Sequence, residues 1–329
     1  MEALDACNRR RGIGRYFETI WKTLVARVKH RPDIYLLGFR GHEIFLLIRL
    51  ITIGKPLIFD EFMSPSDALV SEKKLGVPGR LIGLLIWPLE WLCLVLSRRC
   101  LTDTVCHKQF ISSSFGISEK KIDVVYVGAN TDKAHDAAVV PVHQKEHLSV
   151  LFYGTFLPLH GMDVLLRACK LIEGQPVQVR IIGGSGKALR DFNHLLQELE
   201  LSNVRHDLWV DFDELQSSVI PGADLCLGGP FGGTPQARRV ITGKAFQFLA
   251  QSKPTVIGRT DEPVDFIDRE NCLLVEQGNA EDLASAISWA IENRSALPSI
   301  GEAGHELFQR KFSSGVLAEQ LQQSLKAAL

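Results

Sequence analysis

The chain is poor in features that would name its chemistry at once. No two of its seven cysteines, at positions 7, 93, 100, 106, 169, 226 and 272, stand in a CxxC spacing. An odd number without ligand spacing fits reduced thiols in a cytoplasmic protein, most of them small core residues. Net charge is almost nil, at −1, so nothing marks the chain as a nucleic-acid binder. No GxGxxG frame follows a first strand, and GxxxxGK followed by Ser or Thr is absent. Both absences argue against a dinucleotide fingerprint and a P-loop NTPase. The opening MEALDACNRRRGIGR lacks the apolar stretch of a secretory signal.

What is present is apolar material for two cores: 329 residues, 46% of them hydrophobic, which the length prior divides into about two domains. The near-zero charge hides an asymmetry. Residues 1–100 hold 16 Lys/Arg against 10 Asp/Glu, and the remainder 21 against 28. A basic first part suits an anionic membrane or an anionic acceptor.

Short apolar runs alternate with helical stretches along the whole length. Strands are expected at Asp33–Gly38, Pro56–Asp60, Leu101–Val105 and Ile122–Val127, with helices at Phe45–Ile53 and about Arg80–Arg99. A polar stretch at 131–147 then reads as a linker. The rhythm restarts with strands at Leu148–Tyr153, Val177–Ile182, Leu208–Val210, Ala223–Gly228, Pro254–Ile257 and Cys272–Val275. The expected helices between and after them are Asp163–Ile172, Ala188–Leu201, Leu215–Ile220, Thr242–Gln251, Ala280–Glu292 and Gly301–Leu325. Strands alternating with helices imply parallel sheets covered on both faces. The expected architecture is α/β, with two doubly wound Rossmann-like domains facing a cleft. Residues 1–130 form the first, 148–329 the second, and the last helix crosses back. Ligands of such sheets sit at the carboxyl ends of the strands.

Three segments at strand ends hold candidate ligand groups. Gly154 and Thr155 close the first strand of the second domain and lead past His160 to a helix start. Free N–H groups and the positive end of a helix dipole there favour a phosphate. Gly183, Gly184 and Ser185 close the next strand. The stretch Gly228–Lys253 combines glycines with Arg238, Arg239 and Lys244 just before and inside a helix. Cations at a helix start oppose its dipole and are better tolerated where an anion binds, and guanidinium groups suit phosphate.

The order YGTFLPLHGMDVLLRA, VRIIGGSG, ADLCLGG, TPQARRVITGKAFQFLAQSKPTVIG and NCLLVEQGNAEDLASAI resembles the donor domain of family-4 glycosyltransferases of the GT-B fold, over roughly 147–315. The first half, with PDIYLLGFRGHEIF and PLIFDEF, is more loosely similar to the acceptor domain of the same enzymes. The resemblance implies a sugar transferred from a nucleotide-diphosphate sugar with retention at the anomeric carbon, with no cofactor and no obligatory metal. It places Gly154 and Thr155 at the diphosphate, Gly183 to Gly186 beside the nucleotide, and the helix from Lys244 at phosphate and ribose.

The chain departs from that pattern in four places. Thr155 and His160 stand where many members have Arg and Lys; Arg239 and Gln247 stand where many have two acidic residues. Arg238, Arg239 and Lys244 are therefore expected to neutralise the diphosphate in place of the lost pair, with Gln247 bonding a ribose hydroxyl. His160 would contribute if protonated. A decayed, catalytically impaired nucleotide-binding remnant is the rival reading. In the first half, His42 and the Asp60–Glu61 pair are the candidate catalytic groups: His42 to bond the donor sugar or accept the acceptor's proton, the acids to orient acceptor hydroxyls. The acceptor is expected to be a glycan, a lipid-linked group or a small molecule. The first domain would lack an N-terminal βα unit, since no strand precedes Asp33. The apolar run 80–99, with Trp87 and Trp91, suits a membrane interface at the inner, cytoplasmic face better than a span.

Overall fold

The computed structural model describes residues 4–70, 76–129 and 146–329. The linker expected at 131–147 lies, for 131–145, outside the described residues. Contacts divide the chain into two compact units, Met1–Tyr126 with Ala318–Leu329, and Val127–Leu317.

In the first unit a four-stranded parallel sheet is built from β1 (Tyr35–Leu37), β2 (Leu57–Phe62), β3 (Arg99–Thr102) and β4 (Ile122–Val124), neighbours in simple sequence order. The helices are α1 (Gly14–Lys29), α2 (Phe45–Ile51), α3 (Pro65–Val70), α4 (Gly76–Leu96) and α5 (Val105–Phe115). Strand alternation sorts the core. Leu57 and Phe59 of β2 pack with Phe45 and Ile48 of α2 and Cys93 of α4. Ile58 and Leu101 face the other way, onto Leu321, Leu325 and Ala328 of the chain's last helix. Thr104 caps α5 by accepting the His107 N–H at 3.1 Å, and Gly116 ends it at φ 66°, a conformation glycine adopts without steric cost.

The second unit has six parallel strands in the order β10-β9-β8-β5-β6-β7. These are β5 (Leu148–Gly154), β6 (Val177–Gly183), β7 (Val204–Asp207), β8 (Leu225–Leu227), β9 (Thr255–Gly258) and β10 (Leu273–Val275). The helices are α6 (Met162–Leu171), α7 (Gly186–Leu199), α8 (Phe212–Glu214), α9 (Ile220–Gly222), α10 (Gly243–Ala250), α11 (Ala280–Glu292) and α12 (Leu297–Lys311); the last helix, α13 (Ser314–Ala328), belongs from Ala318 onward to the first unit. The central strands are apolar on both faces and nearly fully buried, as a sheet sandwiched between helix layers requires. Strand order reverses between β5 and β8, and the loops leaving their carboxyl ends open the crevice where such a sheet binds ligands.

Two expected elements are corrected. The strand placed at Leu208–Val210 is instead β7, four residues earlier. It is an edge strand whose polar sequence VRHD pairs with β6, while Leu208 and Trp209 stay exposed; an edge needs no apolar run. The single helix expected over Gly301–Leu325 is two, α12 and α13. Phe312, fully buried edge-on to Phe246 at 4.8 Å, ends the first.

Candidate functional site

At the reversal, the loops after β5 and β8 are joined through backbone. The Gly232 N–H donates to the Leu159 carbonyl at 3.0 Å. A Cβ on Gly161, which sits at φ 63°, would lie 2.5 Å from the Gly232 nitrogen. Only glycine fits both conditions, so the two loops are fixed against each other. The ends of β5 and β6 are tied likewise: the Gly184 N–H donates to the Gly154 carbonyl at 3.0 Å, and a Cβ on Gly183 would meet that oxygen.

Lys244, in the first turn of α10, reaches into this junction. It is 6% exposed, and its Nζ has no hydrogen-bond partner among the described residues. The ammonium lies 5.0 Å from the centre of the Phe152 ring, a weak attraction beside the cost of burial. That burial pushes its pKa down to about 7. His160 shares the junction, and both side chains approach the open side of Gly154.

His160 Nδ1 accepts the Leu157 N–H at 3.2 Å. Burial, and then the Lys244 charge beside it, push its pKa down to about 2. The expectation that a protonated His160 replaces a phosphate-side cation is therefore corrected: it is a neutral ring that shapes the loop. Thr155 and Ser185 are exposed at the ends of β5 and β6.

The expected trio of cations is not one group. Lys244 is buried, whereas the exposed Arg238 meets Asp261, 3.5 Å from its carboxylate, and Arg239 is half-buried. Gln247 is half-buried too. Its Oε1 accepts from the Tyr153 hydroxyl and, at 3.1 Å, from Gln216 Nε2, so its Nε2 is what it has left for a ligand.

In the first unit His42 and Glu61 come together, with Nε2 3.2 Å from Oε2. His42 stands edge-on to Phe59 at 4.8 Å, and Glu61 is fully buried. Burial, then the Glu90 carboxyl beside it, raises the Glu61 pKa well above the carboxylate range; burial lowers that of His42 to about 4. The contact is thus a neutral hydrogen bond and not an ion pair. Asp60 is not part of it: β alternation sends its side chain to the opposite face from Glu61. There the Phe39 and Phe62 N–H groups bond it, and burial, chiefly, raises its pKa to about 6. The expected Asp60–Glu61 pair is corrected to two separate sites.

Sequence reasoning missed two further groups. Glu90 read as an interruption of an apolar helix; it turns inward, and its Oε2 accepts the Ser66 N–H at 3.0 Å. Asp103 and His107, buried and bonded to each other at the end of β3, belong to a TDTxxH stretch whose i, i+4 spacing at a helix start was a usable signal.

Comparison with known proteins finds likenesses centred on the second sheet. Residues 147–293 match the family described as Glycosyl transferases group 1. The matched stretch encloses every loop of the junction just described. The chain is 27% identical over 213 residues to the uncharacterized glycosyltransferase MJ1178 of Methanocaldococcus jannaschii, a match covering 64% of this chain and 55% of that one. The chain thus spans little more than half of that relative. Among solved structures, Anabaena HepE in complex with UDP superposes with a TM-score of 0.71 at 12% identity, covering 94% of this chain and 82% of that one. The sucrose-phosphate synthase of Thermosynechococcus elongatus gives 0.70 at 18% identity, covering 96% and 80%. The fold is that of the GT-B glycosyltransferases.

Proposed function

We propose that the chain is a glycosyltransferase that takes a hexosyl group from a nucleotide-diphosphate sugar and transfers it, with retention of configuration, to a glycan, lipid-linked or small-molecule acceptor in glycoconjugate or polysaccharide synthesis. One observation carries this reading: the buried, unpartnered Lys244 ammonium at the first turn of α10, beside the Gly154 loop. A cation held there without an anion is costly, and a diphosphate removes the cost. When the bond between the anomeric carbon and the phosphate oxygen breaks, its electron pair goes to the diphosphate. Lys244 and the free N–H groups of α10 stabilise that charge, so no metal is needed for it. Gly183, Gly184 and Ser185 border the nucleotide, and Gln247 Nε2 offers a ribose contact. HepE, a protein of the same fold, was solved with UDP-glucose, which supports this class of donor.

In the first unit His42, its Nε2 engaged by Glu61, offers Nδ1 to a sugar hydroxyl, and Asp60 orients an acceptor hydroxyl. We place the protein in the cytoplasm, peripheral at the membrane's inner face, because α4 exposes Leu81, Leu84, Leu85, Trp87 and Trp91. A second reading, a nucleotide-binding remnant, draws on Thr155 and His160 standing where related enzymes have cations.

The test is titration calorimetry with UDP and GDP sugars on the wild type, Lys244→Met and Arg239→Ala, beside a donor screen for released UDP, GDP or ADP with and without lipid acceptors. Binding that needs Lys244, with turnover, supports a transferase; binding without turnover supports the remnant. Undiminished binding in Lys244→Met overturns the assignment of the diphosphate site.

A further inference from the structure

The first unit has one helix layer whose outside is as apolar as its inside. On α2, Phe45 and Ile48 face the core, while Leu46, Leu47 and Leu50 point outward; Leu50 is 64% exposed. Ile53, just beyond the helix, is exposed as well. On α4, Gly83, Cys93, Leu94 and Glu90 face inward, and Leu81, Leu84, Leu85, Trp91 and Val95 outward, with Leu84 and Leu85 67% and 78% exposed. The two helices touch each other and cover the same face of the sheet, so their outer sides adjoin.

Pro78–Leu96 is long and apolar enough to cross a membrane. Crossing would strip Cys93 and Leu94 from the core and carry the Glu90 carboxyl, which holds the Ser66 N–H, into hydrocarbon. Lying flat keeps every inward contact and wets only the outward side.

We propose that the outer sides of α2 and α4 form one docking face for an anionic lipid surface, with both helices lying in the interface. The chemistry favours lipid over a protein partner. The outward side chains are aliphatic or Trp, with no carboxylate and no amide to pair across a specific protein interface. The charges around them are mainly cationic, although Asp33, paired with Lys55 at 3.1 Å, and Glu43, just before α2, are exposed carboxylates there. Arg27 donates to the Ile53 carbonyl at 3.0 Å and Arg49 to the Lys55 carbonyl at 3.0 Å, which places both at the carboxyl end of α2. Arg80 and Arg98 are exposed near the two ends of α4. Guanidinium groups there meet lipid phosphates while the aliphatic face enters the acyl boundary.

This extends the membrane placement proposed above from one helix to two, and the test separates them. The full chain is floated with vesicles of phosphatidylglycerol and phosphatidylcholine in equal parts, and of phosphatidylcholine alone. The wild type, Leu47→Ser with Leu50→Ser, and Leu84→Ser with Leu85→Ser are compared, with UDP calorimetry on each as a check that the second unit is intact and a thermal melt on each as a check on the first. The expected result is flotation with the mixed vesicles, weaker with the neutral ones, and reduced about tenfold or more in both double variants. If the α2 variant floats like wild type while the α4 variant does not, membrane placement stands and the two-helix face is overturned. If the wild type fails to float and light scattering finds a dimer that the α2 variant breaks, the face belongs to a second copy. Failure to float as a monomer overturns both.

Discussion

The two units solve opposite electrostatic problems. In the first, two carboxyl groups and an imidazole, Glu61, Glu90 and His42, are buried together, and each is driven toward its neutral form. In the second, a lysine and an imidazole are buried together, and the lysine has no acceptor among the described residues. The acid cluster sheds its charge by holding protons, so its unpartnered oxygen, Glu90 Oε1, belongs to a neutral group. The lysine has a charge that none of the described residues meets. A group that stays buried without a partner points to something that arrives from outside, and for a cation at a helix start that is an anion. The first cluster therefore reads as scaffold around His42, and the second as a receptor.

The sharpest way to break this contrast is Lys244→Met. UDP affinity should fall on the order of 10–100-fold, the loss of a charge-assisted contact, while the melting temperature holds or rises because an unpaired buried charge is gone. A fall in both would make Lys244 structural. The pH dependence has a definite sign. The folded pKa of Lys244 is about 7, against an ordinary value of 10.5, so the unfolded chain binds the extra proton between those values and stability rises with pH across that window. Any advantage of the Met variant should be largest below pH 7 and shrink above it. Binding a diphosphate restores the charge, so calorimetry at pH 8 in buffers of different ionisation enthalpy should show uptake of up to about one proton. Equal heats in all buffers would mean that the lysine does not meet the anion.

Much of this was legible in the sequence, for a physical reason. Buried parallel strands such as LSVLFYG and VQVRIIG are apolar runs ended by glycine, and that pattern survives without knowledge of neighbours. Gly154, Gly183 and Lys244 could be placed at strand ends and a helix start by that rule alone. Side-chain direction was harder. Arg238, Arg239 and Lys244 look alike in a line of text, yet one is exposed against Asp261 and another is sealed beneath Gly154. Asp60 and Glu61 look like a pair, and the pleat separates them. Edge strand β7 was misplaced because an edge lacks the apolar signal that marks central strands. Glu90 was invisible as a site because its partner, Glu61, is 29 residues away and only the fold joins them.

Glu61→Gln sharpens the other half of the contrast. A carboxyl whose folded pKa is raised loses stability as pH climbs from its ordinary value of 4.5 toward the folded one, because the unfolded chain then binds fewer protons. Gln has no such loss. The variant should match the wild type near pH 4 and exceed it by about 1–2 kcal/mol at pH 8, read as denaturant midpoints at both values. A difference independent of pH would mean that Glu61 is ionised and paired in the native protein.

The smallest expected effect is at Arg238. Its guanidinium is 53% exposed and meets a carboxylate that is 60% exposed, 3.5 Å away. An exposed pair of that kind contributes roughly 0–1 kcal/mol to stability, and its charge is screened by salt over a Debye length of about 8 Å at physiological ionic strength. Arg238→Ala should therefore change UDP affinity by less than about threefold, and added salt should erase the change. The same salt should leave the Lys244 contribution largely in place, because that ammonium is closed off from solvent. A loss at Arg238 comparable to that at Lys244, persisting in high salt, would show that Arg238 leaves Asp261 to hold the ligand. The diphosphate would then be gripped from the surface as well as from within.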